Sequence, residues 1–223
     1  MFMAISRPRR ARSVAEAAFG LATSSSPSGQ LLGDGKPEAA IVIGLCGGLS
    51  PSLTEGAIIS YTDCLSTDSD RLPLFCSPSL VDQQVALLNS KGVRCERAVG
   101  ITSPRVGSPI EEKHALARSG ASVVDMESYE IIAAATKAGV PIIVLRVVSD
   151  PLDQLMPDFN QALKPDGDFD GWKALRVALG APLLTAKLVA ANRRAMQNLT
   201  PALEIILGAD CFSERFQRGT ATR

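Results

Sequence analysis

No apolar run in these 223 residues approaches the roughly 20 positions that a bilayer span needs. The chain therefore reads as soluble, with no membrane span. An excess of either charge is also missing, since Lys plus Arg and Asp plus Glu are 23 each. That balance lacks the basic surplus of a nucleic-acid or membrane-surface protein. Five cysteines, Cys46, Cys64, Cys76, Cys95 and Cys211, are an odd number, far apart and without a CxxC pair. They read as free thiols of a reducing compartment, not a disulfide frame or a zinc site. Histidine is nearly absent: His114 is the only one, with no Cys, Asp or Glu at ligand spacing, so a surface position is expected and no metal. The dinucleotide fingerprint GxGxxG is missing as well. Asp166, Asp168 and Asp170 imitate the start of a calcium loop, but its later glycine and glutamate do not follow, so the segment reads as a turn.

What is present is an α/β pattern. The hydrophobic share of 46% and charged share of 21% suit one globular domain with a real core. Residues 1–35 form a basic, Ser-rich segment with Arg7, Arg9, Arg10 and Arg12, one alanine-rich helix at 11–22 and a flexible loop after it. Such a start resembles an organelle transit peptide and also occurs in bacterial proteins; a cytoplasmic location is expected. The main domain spans 36–208, and 209–223 is a polar, loose tail. No strand is expected before residue 39. Ala39–Leu45 is a buried strand that opens into the glycine turn Gly44-Leu45-Cys46-Gly47-Gly48, where backbone N–H groups can approach a ligand. Further strands are expected at 57–64 and 94–101. Between these two lies an amphipathic helix at 77–91, capped by Ser77 or Ser79, with Leu80, Val81, Val85, Leu87 and Leu88 inward. A short helix at 109–120 carries His114. The chain ends in an apolar-striped helical stretch from Pro182 to Leu207, broken or kinked at Pro201, that packs over the sheet or a second subunit.

The stretch 122–150 organises the rest. Val123 and Val124 lead into Asp125-Met126-Glu127, a helix runs from Ser128 to Ala138, and Gly139 ends it. PIIVLRVV is then a strand buried on both faces. It ends in Ser149-Asp150-Pro151, which puts the aspartate at the carboxyl end of a strand, the edge where open α/β sheets bind ligands.

VDMES, an alanine-rich helix, GVP, an apolar strand and SD together resemble the purine nucleoside phosphorylase and nucleosidase superfamily, which includes the methylthioadenosine/S-adenosylhomocysteine nucleosidases. The KPDGDFD turn and leucine-rich tail resemble its hopanoid-associated phosphorylases. The resemblance covers about residues 38–208. It implies a three-layer α/β/α sandwich with a central mixed, largely parallel sheet, here shortened at the amino end, where the family's first strand and phosphate- or water-handling loop are not found. It implies cleavage of an N-ribosidic bond in a purine nucleoside or 5′-modified adenosine, or a binding remnant that has lost catalysis. Met126 and Glu127 would hold the ribose; Ser149 and Asp150, with Ser103 and Val106, would face the base; Gly44, Cys46 and Gly47 would line the ribose and phosphate end. Glu127 and Asp150 would be catalytic. No cofactor is implied, only inorganic phosphate as co-substrate if the enzyme is a phosphorylase. The partner is a small-molecule nucleoside, with a homo-oligomer as the expected assembly. The opposing reading of the same residues is structural: Asp125 or Glu127 serving the helix N-terminus and Asp150 opening a turn.

Overall fold

The computed structural model describes residues 2–5, 39–105, 109–164 and 170–208, with the backbone alone at 2–5. The expected helix at 11–22, the loop after it, Val106, most of the KPDGDFD turn and the tail lie outside the described residues. In chain order the elements are β1 (Phe2–Ile5), β2 (Ala39–Gly48), β3 (Ile58–Ser66), β4 (Leu74–Phe75), α1 (Pro78–Ser90), β5 (Cys95–Thr102) and α2 (Ile110–Ala117). They continue as β6 (Val123–Asp125), α3 (Ser128–Ala138), β7 (Ile142–Asp150), a short 3-10 turn (Phe159–Ala162), α4 (Gly171–Gly180) and α5 (Pro182–Gly208).

Seven strands form one mixed sheet, with helices against it. β2 and β7 run parallel, β7 and β3 antiparallel, and β3, β5 and β6 parallel. β6 returns antiparallel to Gly47 and Gly48 of β2. The sheet thus closes on itself, so a residue of β6 stands beside the end of β2 although Gly47 and its partner Val124 are 77 positions apart. All nine residues of β7 are buried, as its apolar run predicts. α5 covers β7 and β2 with Ala191, Ala195, Leu199, Ala202 and Ile206.

Five details depart from the sequence reading. A strand does precede residue 39: β1 pairs antiparallel with Ala39–Val42 of β2. Four residues are too few for a periodic signal, and their partner lies far along the chain. The glycine turn is not a turn, because β2 runs through Gly48 and its glycines remain extended. Ser77 stands at the N-cap of α1, but its side chain caps nothing there; its hydroxyl accepts from Ile142 N at 2.9 Å, tying α1 to β7. Among the residues expected inward on α1, Leu87 is only half-buried, while Gln84 is buried and accepts from Ser60 Oγ at 2.6 Å. Finally, α5 passes through Pro201 as one helix. Leu199 and Ala202, on either side of the proline, are buried against the core, and this packing holds the helix across one missing backbone donor.

Candidate functional site

Inside the closed sheet lies a polar cluster that its apolar strands do not advertise. Arg146, in the middle of β7, is 2% exposed. Its Nε is 3.2 Å from Asp125 Oδ2, its Nη1 donates to Glu127 Oε1 at 3.1 Å, and its Nη2 donates to Ser128 Oγ at 2.8 Å. Asp125 also accepts from Tyr61 Oη at 3.0 Å and Thr102 Oγ1 at 2.8 Å, and from the backbone N–H groups of Glu127 and Ser128. Burial raises its proton affinity, but Arg146 and the donors from Ser128 and Thr102 outweigh this and hold it below the usual carboxylate range. Asp125 therefore does the structural work at the start of α3. Glu127 is left with a half-buried carboxylate aimed by Arg146. Gly100 makes room for Tyr61: a Cβ there would fall 2.1 Å from the ring.

A second cluster sits at the end of β7. Asp150 is 5% exposed and Lys113, reaching down from α2, is 1% exposed. Lys113 Nζ lies 2.5 Å from Asp150 Oδ2 and donates to the carbonyls of Asp150 at 3.0 Å and Pro151 at 2.8 Å. Oδ2 thus faces the Lys113 head group as one side of a buried ion pair. Ser149 Oγ donates to Asp150 Oδ1 at 2.5 Å and lies 3.2 Å from the Cys46 carbonyl. Burial pushes the Asp150 carboxyl up; Lys113 and Ser149 counter this in part.

The clusters meet across β2. A Cβ on Gly47 would lie 3.0 Å from Asp150 Oδ2 and 3.1 Å from Val124 Cγ1, so the glycine is what lets the aspartate come down beside β6. Val124 is three residues before Glu127. The Cys46 thiol feels the charges of both clusters, Arg146 and Asp125 of one and Asp150 and Lys113 of the other. Burial pushes it far up, so it is no thiolate nucleophile. Gly44 pairs with Arg146 in register. Ser103 is buried, its N–H donating to the Asp125 carbonyl at 2.8 Å. Met126 is half-buried between Asp125 and Glu127. Sequence-predicted site residues thus gather at one corner, Val106 lying outside the described residues.

Two charged residues of this corner are missing from the sequence reading. Arg146 has a visible signal, a lone cation in an apolar strand. Lys113 has none, since a lysine on a short polar helix is ordinarily solvated. His114, beside it, is half exposed and 3.1 Å from Asp153. Among the described residues no group of three or more His, Cys, Asp or Glu side chains could hold a metal ion.

The sequence profile of the phosphorylase superfamily matches residues 20–178. No curated protein sequence matches the chain significantly. Among solved structures, a 5′-methylthioadenosine/S-adenosylhomocysteine nucleosidase of Campylobacter jejuni aligns with a TM-score of 0.50 and 16% identity, covering 68% of this chain and 69% of that one. A futalosine hydrolase mutant of Helicobacter pylori aligns with a TM-score of 0.48 and 17% identity over 69% and 68% of the two chains. At such identity the likeness to the first shows a common fold.

Proposed function

This chain belongs to the phosphorylase superfamily, and from that membership we propose that it cleaves the N-ribosidic bond of a purine nucleoside or a 5′-modified adenosine. The observation that carries the reading is the approach of Asp150 to β6: Oδ2 is 3.0 Å from the Cβ position of Gly47, whose strand partner Val124 leads directly to Met126 and Glu127. Breaking the bond leaves positive charge on the sugar ring and an electron pair on the base. Glu127 accepts hydrogen bonds from ribose hydroxyls, and its negative charge favours the oxocarbenium-like transition state. Arg146 fixes the direction of that carboxylate. Met126 offers an adaptable apolar surface to the sugar. Asp150 serves purine N7 as a general acid, a role that its burial supports. Ser149 orients its other oxygen. In this reading Ser103 serves the base side, and Gly44, Cys46 and Gly47 the ribose and phosphate side. No resident cofactor enters this scheme; inorganic phosphate is the co-substrate if the nucleophile is not water.

The test is base release from inosine, adenosine and 5′-methylthioadenosine, with and without phosphate, the sugar product being identified as ribose or ribose 1-phosphate. Release of free base is expected. If all three nucleosides stay intact at micromolar protein while one of them still raises the melting temperature, the chain is a binding remnant. The Asp150–Lys113 ion pair, which occupies the acid in the free protein, favours that second reading.

Assembly as a homo-oligomer and a cytoplasmic site of action are parts of the same proposal. Trp172, Leu175, Leu179 and Leu183 leave an exposed apolar stripe over α4 and the start of α5. Two antiparallel copies of α4 would bury this stripe against itself about a two-fold axis. Sedimentation velocity should show a dimer that Leu179→Asp converts to monomer; a monomeric parent chain would contradict it. The four described cysteines are buried free thiols, which suits a reducing compartment. No single described helix is long and apolar enough to cross a membrane.

A further inference from the structure

We propose that Lys113 is a positioning residue that supplies the proton Asp150 passes to the departing base; this rests on the glycosidic activity proposed above. Among the described residues Lys113 is the only buried lysine. A lysine on a short surface helix gains nothing by turning inward unless its charge is met, and here its head group is enclosed at 1% exposure against the end of β7.

Three oxygens surround Nζ within 3.0 Å: the carbonyls of Asp150 and Pro151 and the Asp150 carboxylate. The geometry is that of a buried ion pair, with Nζ set against the Asp150 carboxylate. An ionised aspartate cannot act as an acid. The proton has to come from a neighbour, and the neighbour in contact is Nζ. In this dry corner the exchange is easy, because moving one proton from Nζ to Oδ2 turns a buried ion pair into two neutral groups and removes the desolvation cost of both charges. Burial already pushes the Asp150 carboxyl toward its protonated form. Among the described residues the surroundings offer no competitor. From β2 the Cys46 thiol faces the pair and stays protonated; Ser149 donates from β7; Asp125 and Arg146 are paired with each other. His114 and Asp153 form a separate, solvent-exposed pair.

Nζ gives a proton to the Asp150 carboxylate, and the carboxyl gives it to N7 of the base. The C1′–N9 bond breaks and its electron pair enters the purine ring. Lys113 remains as a neutral amine and regains a proton from water once the base has left.

Lys113→Arg separates this role from a structural one. Arginine keeps the cation that Asp150 needs but does not give up its proton. Purified Lys113→Arg, with Lys113→Gln as a second variant should arginine be too large for the site, would be assayed on whichever nucleoside the parent chain cleaves and on 4-nitrophenyl β-D-ribofuranoside, whose leaving group needs no proton. Purine release should fall by about 100-fold or more, the size of a general-acid contribution, while nitrophenol release stays within about threefold. Purine release unchanged, or both substrates losing rate together, overturns the proton relay. A parent chain that cleaves neither substrate overturns the glycosidic activity itself, and the relay with it.

Discussion

Arg146→Met should lower the unfolding free energy by about 3–5 kcal/mol, the usual cost of leaving a buried charge without its partner. The guanidinium contacts Asp125, Glu127 and Ser128 at once. Without it, Asp125 keeps its bonds from Tyr61, Thr102 and two backbone N–H groups but loses its counter-charge in the middle of the closed sheet. Urea unfolding measures the effect, and an unchanged midpoint would refute it. The exposed pair between Arg97 and Asp82, at 2.7 Å, is the control: Arg97→Met should cost no more than about 1 kcal/mol. The pH dependence has a definite sign. Asp125 has a folded-state affinity for protons below that of the unfolded chain, so its contribution is complete above the ordinary carboxylate range. It is lost as pH falls through the lowered folded value. In Arg146→Met that acid-side loss should begin at higher pH, because the largest influence lowering Asp125 is gone.

Asp150→Asn should abolish base release, by about 10²–10⁴-fold for the loss of a general acid. Glu127→Gln should also lose activity, and it leaves the Lys113 pair untouched. The aspartate variant has a second effect that the sequence does not foretell. It strands the Lys113 ammonium, which is as buried as its partner, and should therefore unfold more easily than the parent. The double variant Asp150→Asn, Lys113→Met removes both charges and should recover most of that stability while remaining inactive. Recovery of neither stability nor activity is expected if the two residues are uncoupled, and that result would remove Lys113 from the site. Here the pH sign is opposite to that of Asp125. Asp150 binds its proton more tightly folded than unfolded, so its contribution is complete below the ordinary carboxylate range and is lost as pH rises through the raised folded value. The double variant should be flatter across that window.

Both predictions turn on how much of the site is visible before folding. The helix and strand of residues 128–150 are visible because each residue answers to its neighbours: Gly139 takes the left-handed φ of 62° at the end of α3, and the nine apolar-rich positions of β7 bury together. Glu127 and Asp150 flank that unit, so their place at strand ends follows from local periodicity, as does the exposure of His114. The glycines of β2 were legible as a place of close approach, yet not as extended strand, since what approaches Gly47 is Asp150 from β7 and Val124 from β6.

The chain's own order of residues thus determined the α/β class, the unit from Val123 to Asp150 and the place of two carboxylates at its ends. Only the tertiary structure decided that the sheet closes on itself, that β1 lies along β2, that Arg146 orients Glu127 and that Lys113 meets Asp150. The reason is range. Helix and strand periods arise between residues a few positions apart, whereas Lys113 and Asp150 are 37 positions apart and become neighbours only when the strands between them fold. A buried charge is stable only in the company of its partner, and that company is a property of the fold.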